Sequence, residues 1–268
     1  FDEPAFKAVF SITLTVPDDV LAISNSAEVL REVLDGGLAR ITFADTMVMS
    51  TYLVALVIGP LEATPPRMVA GMNGPIPLRV IYPPGSAHLC EFALEVAEAA
   101  LQFFENYYGI AYPGDKVDLV AVPDFAFGAM ENLGCITFRE VLLLVDPGTA
   151  TQPELHRVAD VINHELAHMW FGDLVTMEWW NGIWLNEAFA TFMEVSATDA
   201  FRPDWQVWTS FGLARAAAFD TDALQSTRPI EFEVQSPAEA EAMFDILTYQ
   251  KGASVVRMLE QYLGAEVF

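Results

Sequence analysis

The chain has 268 residues, and 53% of them are apolar, so it can bury a sizeable core and is neither a disordered segment nor a disulfide-stapled mini-protein. Its 37 acidic and 13 basic side chains give a net charge of −24, which repels nucleic-acid phosphates and anionic lipids. We therefore expect no nucleic-acid partner. No apolar run reaches the roughly 18 residues of a transmembrane helix. Cys90 and Cys135 match neither a disulfide framework nor a zinc knuckle, and we expect reduced thiols.

The first part of the chain, residues 1–83, has the pattern of β structure. Apolar and polar residues alternate over 10–16, as in a half-buried strand. Further strands are predicted at 38–43, 52–58 and 78–82, because turn residues rich in Gly, Pro, Asp and Asn separate these apolar runs. A Pro-Pro-Gly turn follows the last of them. We place the domain boundary at this turn.

After this turn the apolar period changes to 3.6 residues, which is typical of helices. Gly109 can end the first helix, and Thr151 with Glu154 forms a capping-box pattern at the start of the second. The predicted elements are a helix at 89–107, a strand at 117–122, one or two strands at 135–145, and helices at 151–172, at 185–200 and beyond. The whole chain therefore belongs to the α+β class, with a β region followed by a largely helical one.

Two of the four histidines stand in a His-Glu-x-x-His pattern on the predicted second helix. His164 and His168 are four residues apart and share one helical face, so both imidazoles can bind one metal ion. A catalytic zinc site needs a third protein ligand and an open position. Glu187 is the best candidate, because an antiparallel helix hairpin would bring it back to the histidines. Glu194, two turns further along the same helix, is the alternative, although a supporting or surface role suits it better.

Other ionisable residues near this pattern have different expected roles. Glu165 lies between the two histidines in sequence but points away from their shared face, so we predict a general base rather than a ligand. Glu178, in the connecting segment, is expected to be structural. His88 and His156 have no partner at metal-ligand spacing, and we expect solvated side chains.

A second motif, Gly-Ala-Met-Glu-Asn, precedes the histidine pair. Together with His-Glu-Leu-Ala-His and the glutamate that follows it after 18 residues, it resembles the aminopeptidase N-like zinc metallopeptidases of the gluzincin group. Further stretches similar to that family lie at 1–8, 49–52, 116–119, 170–172 and 248–252. The resemblance implies substrate-binding roles for the residues of the first motif, which are Gly128, Ala129, Met130, Glu131 and Asn132.

The resemblance also implies a fold and a chemistry. The chain would hold the end of an antiparallel N-terminal β domain, residues 1–83, and most of a thermolysin-like catalytic domain, residues 84–268. The N- and C-terminal parts of a longer protein would be absent. One Zn²⁺ ion would be bound by His164, His168 and Glu187, with Glu165 as the general base.

The implied reaction is the removal of N-terminal residues from peptides. Tyr249 matches the family's tyrosine that stabilises the oxyanion, and Glu131 would bind the free amine of the substrate. Two other functions stay open: a relative that opens an epoxide at the same zinc site, and a non-catalytic binding scaffold that retains a relic site. We expect a cytoplasmic location, although no motif specifies a compartment.

The chain departs from the family pattern at a few positions outside the ligand set. These departures concern fine specificity rather than the chemistry. They are Met169 and Asp173, where Gln and Asn are common, Gly182, where Asp is common, and Arg228, where His is common.

Overall fold

A computed structural model describes residues 3–268. Its N-terminal part consists of small antiparallel sheets in which β2, β5 and β4 pair in that order, β3 pairs with β7, and β1 pairs with β6. Along β5, Ala39, Ile41 and Phe43 are buried while their neighbours face outward, so the period-2 alternation builds a small local core. The strands are β1 (Lys7–Ala8), β2 (Thr13–Pro17), β3 (Leu21–Ser24), β4 (Glu28–Leu34), β5 (Leu38–Phe43), β6 (Met49–Ser50) and β7 (Leu56–Gly59).

A larger mixed sheet follows. Its order is β12-β13-β11-β10-β8, with β9 also paired to β10. Strand β11 runs parallel to both β10 and β13, and its side chains are buried on both faces, as expected for a covered parallel strand. Strand β12 is antiparallel to β13 and is the outermost strand on that side. The strands are β8 (Glu62–Ala63), β9 (Arg67–Gly71), β10 (Gly74–Tyr82), β11 (Val117–Val122), β12 (Ala129–Met130) and β13 (Cys135–Arg139).

Helices cover this sheet and form the main core with it. Helix α1 ends at Gly109, whose φ of 64° is the left-handed conformation predicted for a helix-ending glycine. At the start of α2 the carboxylate of Glu154 accepts hydrogen bonds from the backbone N–H and the hydroxyl of Thr151, which confirms the predicted capping box. The helices are α1 (Glu91–Tyr108), α2 (Gln152–His168), α3 (Ile183–Phe201), α4 (Val207–Asp222), α5 (Pro237–Ala240) and α6 (Gly252–Leu263).

The predicted α+β class is confirmed, but two of the predicted strands are wrong in part. The apolar run 52–58 is divided between a 3₁₀ turn at Thr51–Leu53 and strand β7. The run 135–145 is a strand only as far as Arg139, and a second 3₁₀ turn follows at Glu140–Leu142. Burial of apolar side chains is compatible with turns as well as strands, so these runs did not specify their backbone conformation.

Strands β3, β4 and β9 were not predicted, and neither were the two-residue strands β1, β6, β8 and β12. Strand β4 has exposed side chains along almost its whole length, so it lacks the alternation of a half-buried strand. The domain boundary at residue 83 stays a prediction, and the mixed sheet contains strands from both sides of it. Within residues 3–268, none of the helices combines the length and the apolar composition that crossing a membrane requires.

Both cysteines are free and almost fully buried. Burial raises the pKa of the Cys90 thiol to about 11 and that of Cys135 to about 12.

Both thiols are therefore expected to resist alkylation by iodoacetamide at pH 8, because only the thiolate form reacts and burial disfavours the thiolate. Mass spectrometry of the two cysteine peptides after native and denatured labelling measures this. Rapid labelling of either thiol in the folded protein would contradict the structure.

Candidate functional site

The predicted ligand triad converges at the contact between α2 and α3. The Nε2 atoms of His164 and His168 lie 3.1 Å apart, and the Oε2 atom of Glu187 lies 3.1 Å from the first and 3.5 Å from the second. All three side chains are buried, and their ligand atoms lie within 4.8 Å of one another. Two imidazoles and one carboxylate are a donor set that suits a catalytic zinc ion, so the residues fit the metal that the resemblance implies.

Hydrogen bonds on the far side of each imidazole orient the triad. The Nδ1 atom of His164 lies 2.7 Å from the carboxylate of Glu194, and the Nδ1 atom of His168 lies 3.1 Å from the carbonyl oxygen of Phe171. Such partners fix the ring orientation and leave Nε2 available to a metal. Glu194, the alternative third ligand, therefore lies on the opposite side of the imidazole from Glu187. This geometry favours a supporting role for Glu194.

Two more carboxylates lie beside the triad. One oxygen each of Glu131 and Glu165 lies within 4.8 Å of a ring nitrogen of His168. The Oε2 atom of Glu165 is buried and has no hydrogen-bond partner among residues 3–268. Burial raises the pKa of Glu165 to about 8, against the lowering effect of the two histidines, and burial also raises the pKa of Glu131. A carboxylate in this state can take up a proton near neutral pH.

The segment that carries Glu131 includes the outermost strand of the mixed sheet. Ala129 and Met130 form β12 and are half-buried, and the carbonyl oxygen of Gly128 accepts a hydrogen bond of 2.8 Å from the backbone N–H of Arg139. The Asn132 side chain donates to the carbonyl oxygen of Leu53 at 3.3 Å and accepts from the Thr137 hydroxyl at 3.1 Å. These two hydrogen bonds occupy the Asn132 side-chain amide and hold the segment in place.

The next turn is held by two buried polar side chains for which no individual role is predicted from the sequence. The Asn25 amide donates to the carbonyl oxygens of Leu53 and Leu133 at 2.8 and 2.9 Å. The Lys116 ammonium donates to the carbonyl oxygen of Gly134 at 2.7 Å and pairs with Asp118 at 2.9 Å. Asn25 lies far from the motif in sequence, so no local pattern could have indicated this contact.

Tyr249 also reaches the site. It lies in a π-helical turn, Leu247–Lys251, directly before α6. Its ring stacks on that of His164 with 5.8 Å between centroids and 20° between planes. Burial raises the pKa of Tyr249 far above its usual value, so the hydroxyl stays protonated and can donate. π-helical turns often occur at functional sites.

The remaining predicted residues lie outside the site. His88 is exposed, as expected, and Glu178 is exposed too, so its structural role stays a prediction. The expectation of a solvated His156 is wrong, because its ring pairs with Asp160 at 3.1 Å and contacts an indole. Asp173, known from the sequence only as a departure from the family, is fully buried, and neither carboxylate oxygen has a hydrogen-bond partner in the described part of the chain.

Comparison with known proteins gives matches along the chain. A model of the peptidase family M1 domain matches residues 92–268, and a model of the peptidase M1 N-terminal domain matches residues 1–53. The whole chain is 46% identical to "Aminopeptidase M1" of Arabidopsis thaliana, 45% to "Aminopeptidase 2" of Candida albicans and 46% to "Probable aminopeptidase 2" of Sulfurisphaera tokodaii. It covers 30%, 29% and 33% of these proteins, so it spans about a third of their length.

The turn after Glu131 provides a test of how tightly this part of the site is held. Gly134 has a φ of 69°, and a Cβ atom there would lie 2.3 Å from the carbonyl oxygen of Asn25. We expect Gly134→Ala to lower the free energy of unfolding by about 2 kcal/mol or more, because backbone strain and a clash add. Chemical denaturation measures the loss.

Gly36→Ala is the matched control, because Gly36 has a φ of 82° and no heavy atom within 4 Å of the added Cβ. Gly36→Ala should lower the free energy of unfolding by about 1 kcal/mol, because it adds backbone strain without a clash. Equal losses for both variants would mean that the contact with Asn25 does not constrain the turn.

Proposed function

The chain belongs to peptidase family M1, and on this premise we propose that it carries the catalytic centre of a zinc-dependent aminopeptidase, which removes the N-terminal residue from peptides. The family predicted from the two motifs is thereby confirmed. The observation that carries the proposal is the convergence of His164, His168 and Glu187, with Glu131 and Glu165 beside them. The printed names of the relatives, which are aminopeptidases, support the same activity.

We infer that one zinc ion binds at His164, His168 and Glu187. Bound there, zinc supplies a Lewis acid that makes a water molecule a nucleophile near neutral pH. Glu194 fixes the ring of His164 from the opposite side through its 2.7 Å contact. The protein contributes a buried site whose ligands are already oriented, so little reorganisation is needed for metal binding.

Glu165 serves as the general base in this proposal. Its Oε2 atom is buried without a partner among residues 3–268, so a reacting water can take that place. A carboxylate beside the triad is placed to take a proton from the attacking water and to give it to the leaving amine. Tyr249, whose hydroxyl is protonated, donates a hydrogen bond to the oxyanion that forms from the peptide carbonyl.

Glu131 supplies the preference for chain ends. A carboxylate about 4 Å from a substrate ammonium gains on the order of 4 kcal/mol of Coulomb energy at an effective dielectric constant near 20, before desolvation is subtracted. Internal peptide bonds lack this charge. Strand β12 supports the proposal, because it is outermost in its sheet and an extended peptide can pair with such a strand. Met130 is suited to line the first side-chain pocket.

The proposed roles of Glu165 as general base and Glu187 as zinc ligand can be tested separately. We expect Glu165→Gln to keep zinc and to lower kcat by about 10²–10⁴, because only the proton acceptor is removed. Glu187→Gln should lose zinc in dialysis against a chelator, because a ligand is removed. Metal analysis and turnover of an aminoacyl anilide measure the two effects. Loss of zinc from Glu165→Gln with retention in Glu187→Gln would reverse the roles.

Glu194→Gln is the matched control, since Glu194 lies on the same helix and is hydrogen-bonded to the far side of the His164 ring. It should weaken zinc binding by about 10- to 100-fold, a smaller loss than for Glu187→Gln. A loss of zinc affinity as large as that of Glu187→Gln would indicate that Glu194 is itself a zinc ligand.

Glu131 is tested with a pair of substrates. We expect Glu131→Gln to raise the KM of a free aminoacyl anilide by about 10- to 100-fold, the value of one hydrogen bond to a charged group. The kinetics of the N-acetylated anilide should change little, because that substrate has no ammonium. Equal losses on both substrates would argue against amine recognition by Glu131 and would favour a general structural effect.

A further inference from the structure

We propose that Arg228 is a positioning residue for Tyr249, an inference that rests on the catalytic role proposed above for that tyrosine. Arg228 lies between α4 and α5 in sequence, on a segment without regular structure. It does not belong to the ligand triad or to the Glu131 segment. Its guanidinium instead holds the start of the turn that carries Tyr249.

The contacts of the guanidinium converge on this turn. The Nη2 atom of Arg228 donates to Oδ1 of Asp245 at 2.6 Å, to the hydroxyl oxygen of Thr248 at 2.9 Å and to the carbonyl oxygen of Met243 at 3.2 Å. The Arg228 side chain is only 15% exposed and Thr248 is fully buried, whereas the Asp245 side chain is 41% exposed. Charge-assisted hydrogen bonds are stronger than neutral ones, and here the guanidinium end is largely shielded from water.

Asp245 connects the Arg228 guanidinium to the backbone of the turn. The same oxygen that accepts from Arg228 also accepts the backbone N–H groups of Leu247 at 2.9 Å and Thr248 at 3.1 Å. The backbone N–H of Tyr249 donates to the Asp245 carbonyl oxygen at 3.1 Å. Asp245 therefore satisfies amides at the start of the helical segment that would otherwise lack partners. Arg228 fixes the orientation of the carboxylate that does this.

The other end of the turn is fixed by packing. A Cβ atom added at Gly252 would lie 2.6 Å from the Cβ atom of Ala188, so the backbone at Gly252 lies directly against α3. Ala188 is the neighbour of the ligand Glu187. The turn is thus held at one end by α3 and at the other by Arg228, and Tyr249 lies between the two supports.

This arrangement predicts a specific kinetic effect. Loss of Arg228 frees one end of the turn, so the Tyr249 hydroxyl is less precisely placed, while the contacts within the triad and those of Glu131 with His168 remain. A misplacement of about 1 Å costs roughly 10²-fold in rate when it affects a group that acts in the transition state. The loss should therefore appear in kcat, and KM and zinc content should change little.

A double-mutant cycle tests the proposal in the zinc-loaded protein. Tyr249→Phe is expected to lower kcat by about 10²–10³, the usual loss for one oxyanion donor. Arg228→Ala is expected to lower kcat by about 10- to 100-fold with KM within about twofold. The double variant should be no slower than Tyr249→Phe alone, because Arg228 acts through the same tyrosine. Hydrogen exchange should increase in residues 245–251 of Arg228→Ala.

Two further variants keep the test informative. Arg228→Lys retains the charge but not the guanidinium, and it should recover part of the lost kcat while folding normally; it replaces Arg228→Ala in the cycle if the alanine variant does not fold. Arg67→Ala is the matched control, because Arg67 also pairs with acidic side chains, Glu91 and Glu98, but on the surface of α1. Its kcat should be unchanged.

The outcomes distinguish this proposal from the one it rests on. If Tyr249→Phe is slow and Arg228→Ala is normal, or if the two losses multiply in the double variant, the positioning role of Arg228 is overturned and that of Tyr249 stands. If Tyr249→Phe turns over at the normal rate with zinc bound, the catalytic role of Tyr249 fails, and the positioning role fails with it. A kcat loss that disappears in the Tyr249→Phe background supports both.

Discussion

The antiparallel contact between α2 and α3 is the constraint on which the rest of the site depends. The Asn163 amide donates to the Thr198 hydroxyl oxygen at 2.9 Å, and that hydroxyl donates to Asp160 at 2.8 Å. Because these polar groups lie in a largely apolar interface, they favour one register of the two helices. In this register, the next turns of both helices bring His164 to Glu187 and Glu194. A displacement by one turn, about 5.4 Å, would separate the ligands.

The electrostatics of the site is consistent with the metal ion and the cationic substrate of the proposed function. Glu131, Glu165, Glu187 and Glu194 are gathered around two imidazoles, and Asp173 is buried nearby without a hydrogen-bond partner in the described chain. Burial of carboxylates costs free energy unless they are paired. In this protein the buried carboxylates that raise the free energy of the folded state face a common centre. In the proposed function, a metal ion and a substrate ammonium would offset this cost, so the free energy of ligand binding and the local instability of the empty site would have the same origin.

Local patterns predicted the parts of the site that short stretches of sequence specify. The capping box at Thr151, the four-residue spacing of the histidines and the position of α3 all follow from helical periodicity. The turn after Glu131 could not be predicted in this way, because it is held by Asn25, which is 108 residues away in sequence from its partner Leu133. The departure at Arg228 was visible in the sequence, but its three acceptors came together only through the fold.

Three supports hold the site, and they share no side chain. Asn25 and Lys116 hold the Glu131 turn, the hydrogen bonds between α2 and α3 hold the triad, and Arg228 holds the Tyr249 turn. Effects of substitutions in separate networks usually add, whereas those within one network do not. The three supports are therefore separate, but the groups that they hold are in contact, because the Tyr249 ring stacks on His164 and its turn packs against α3. The first support also makes the N-terminal sheets part of the site, since Asn25 follows β3 directly. Loss of those strands would remove a contact to the Glu131 turn while leaving His164, His168 and Glu187 in place.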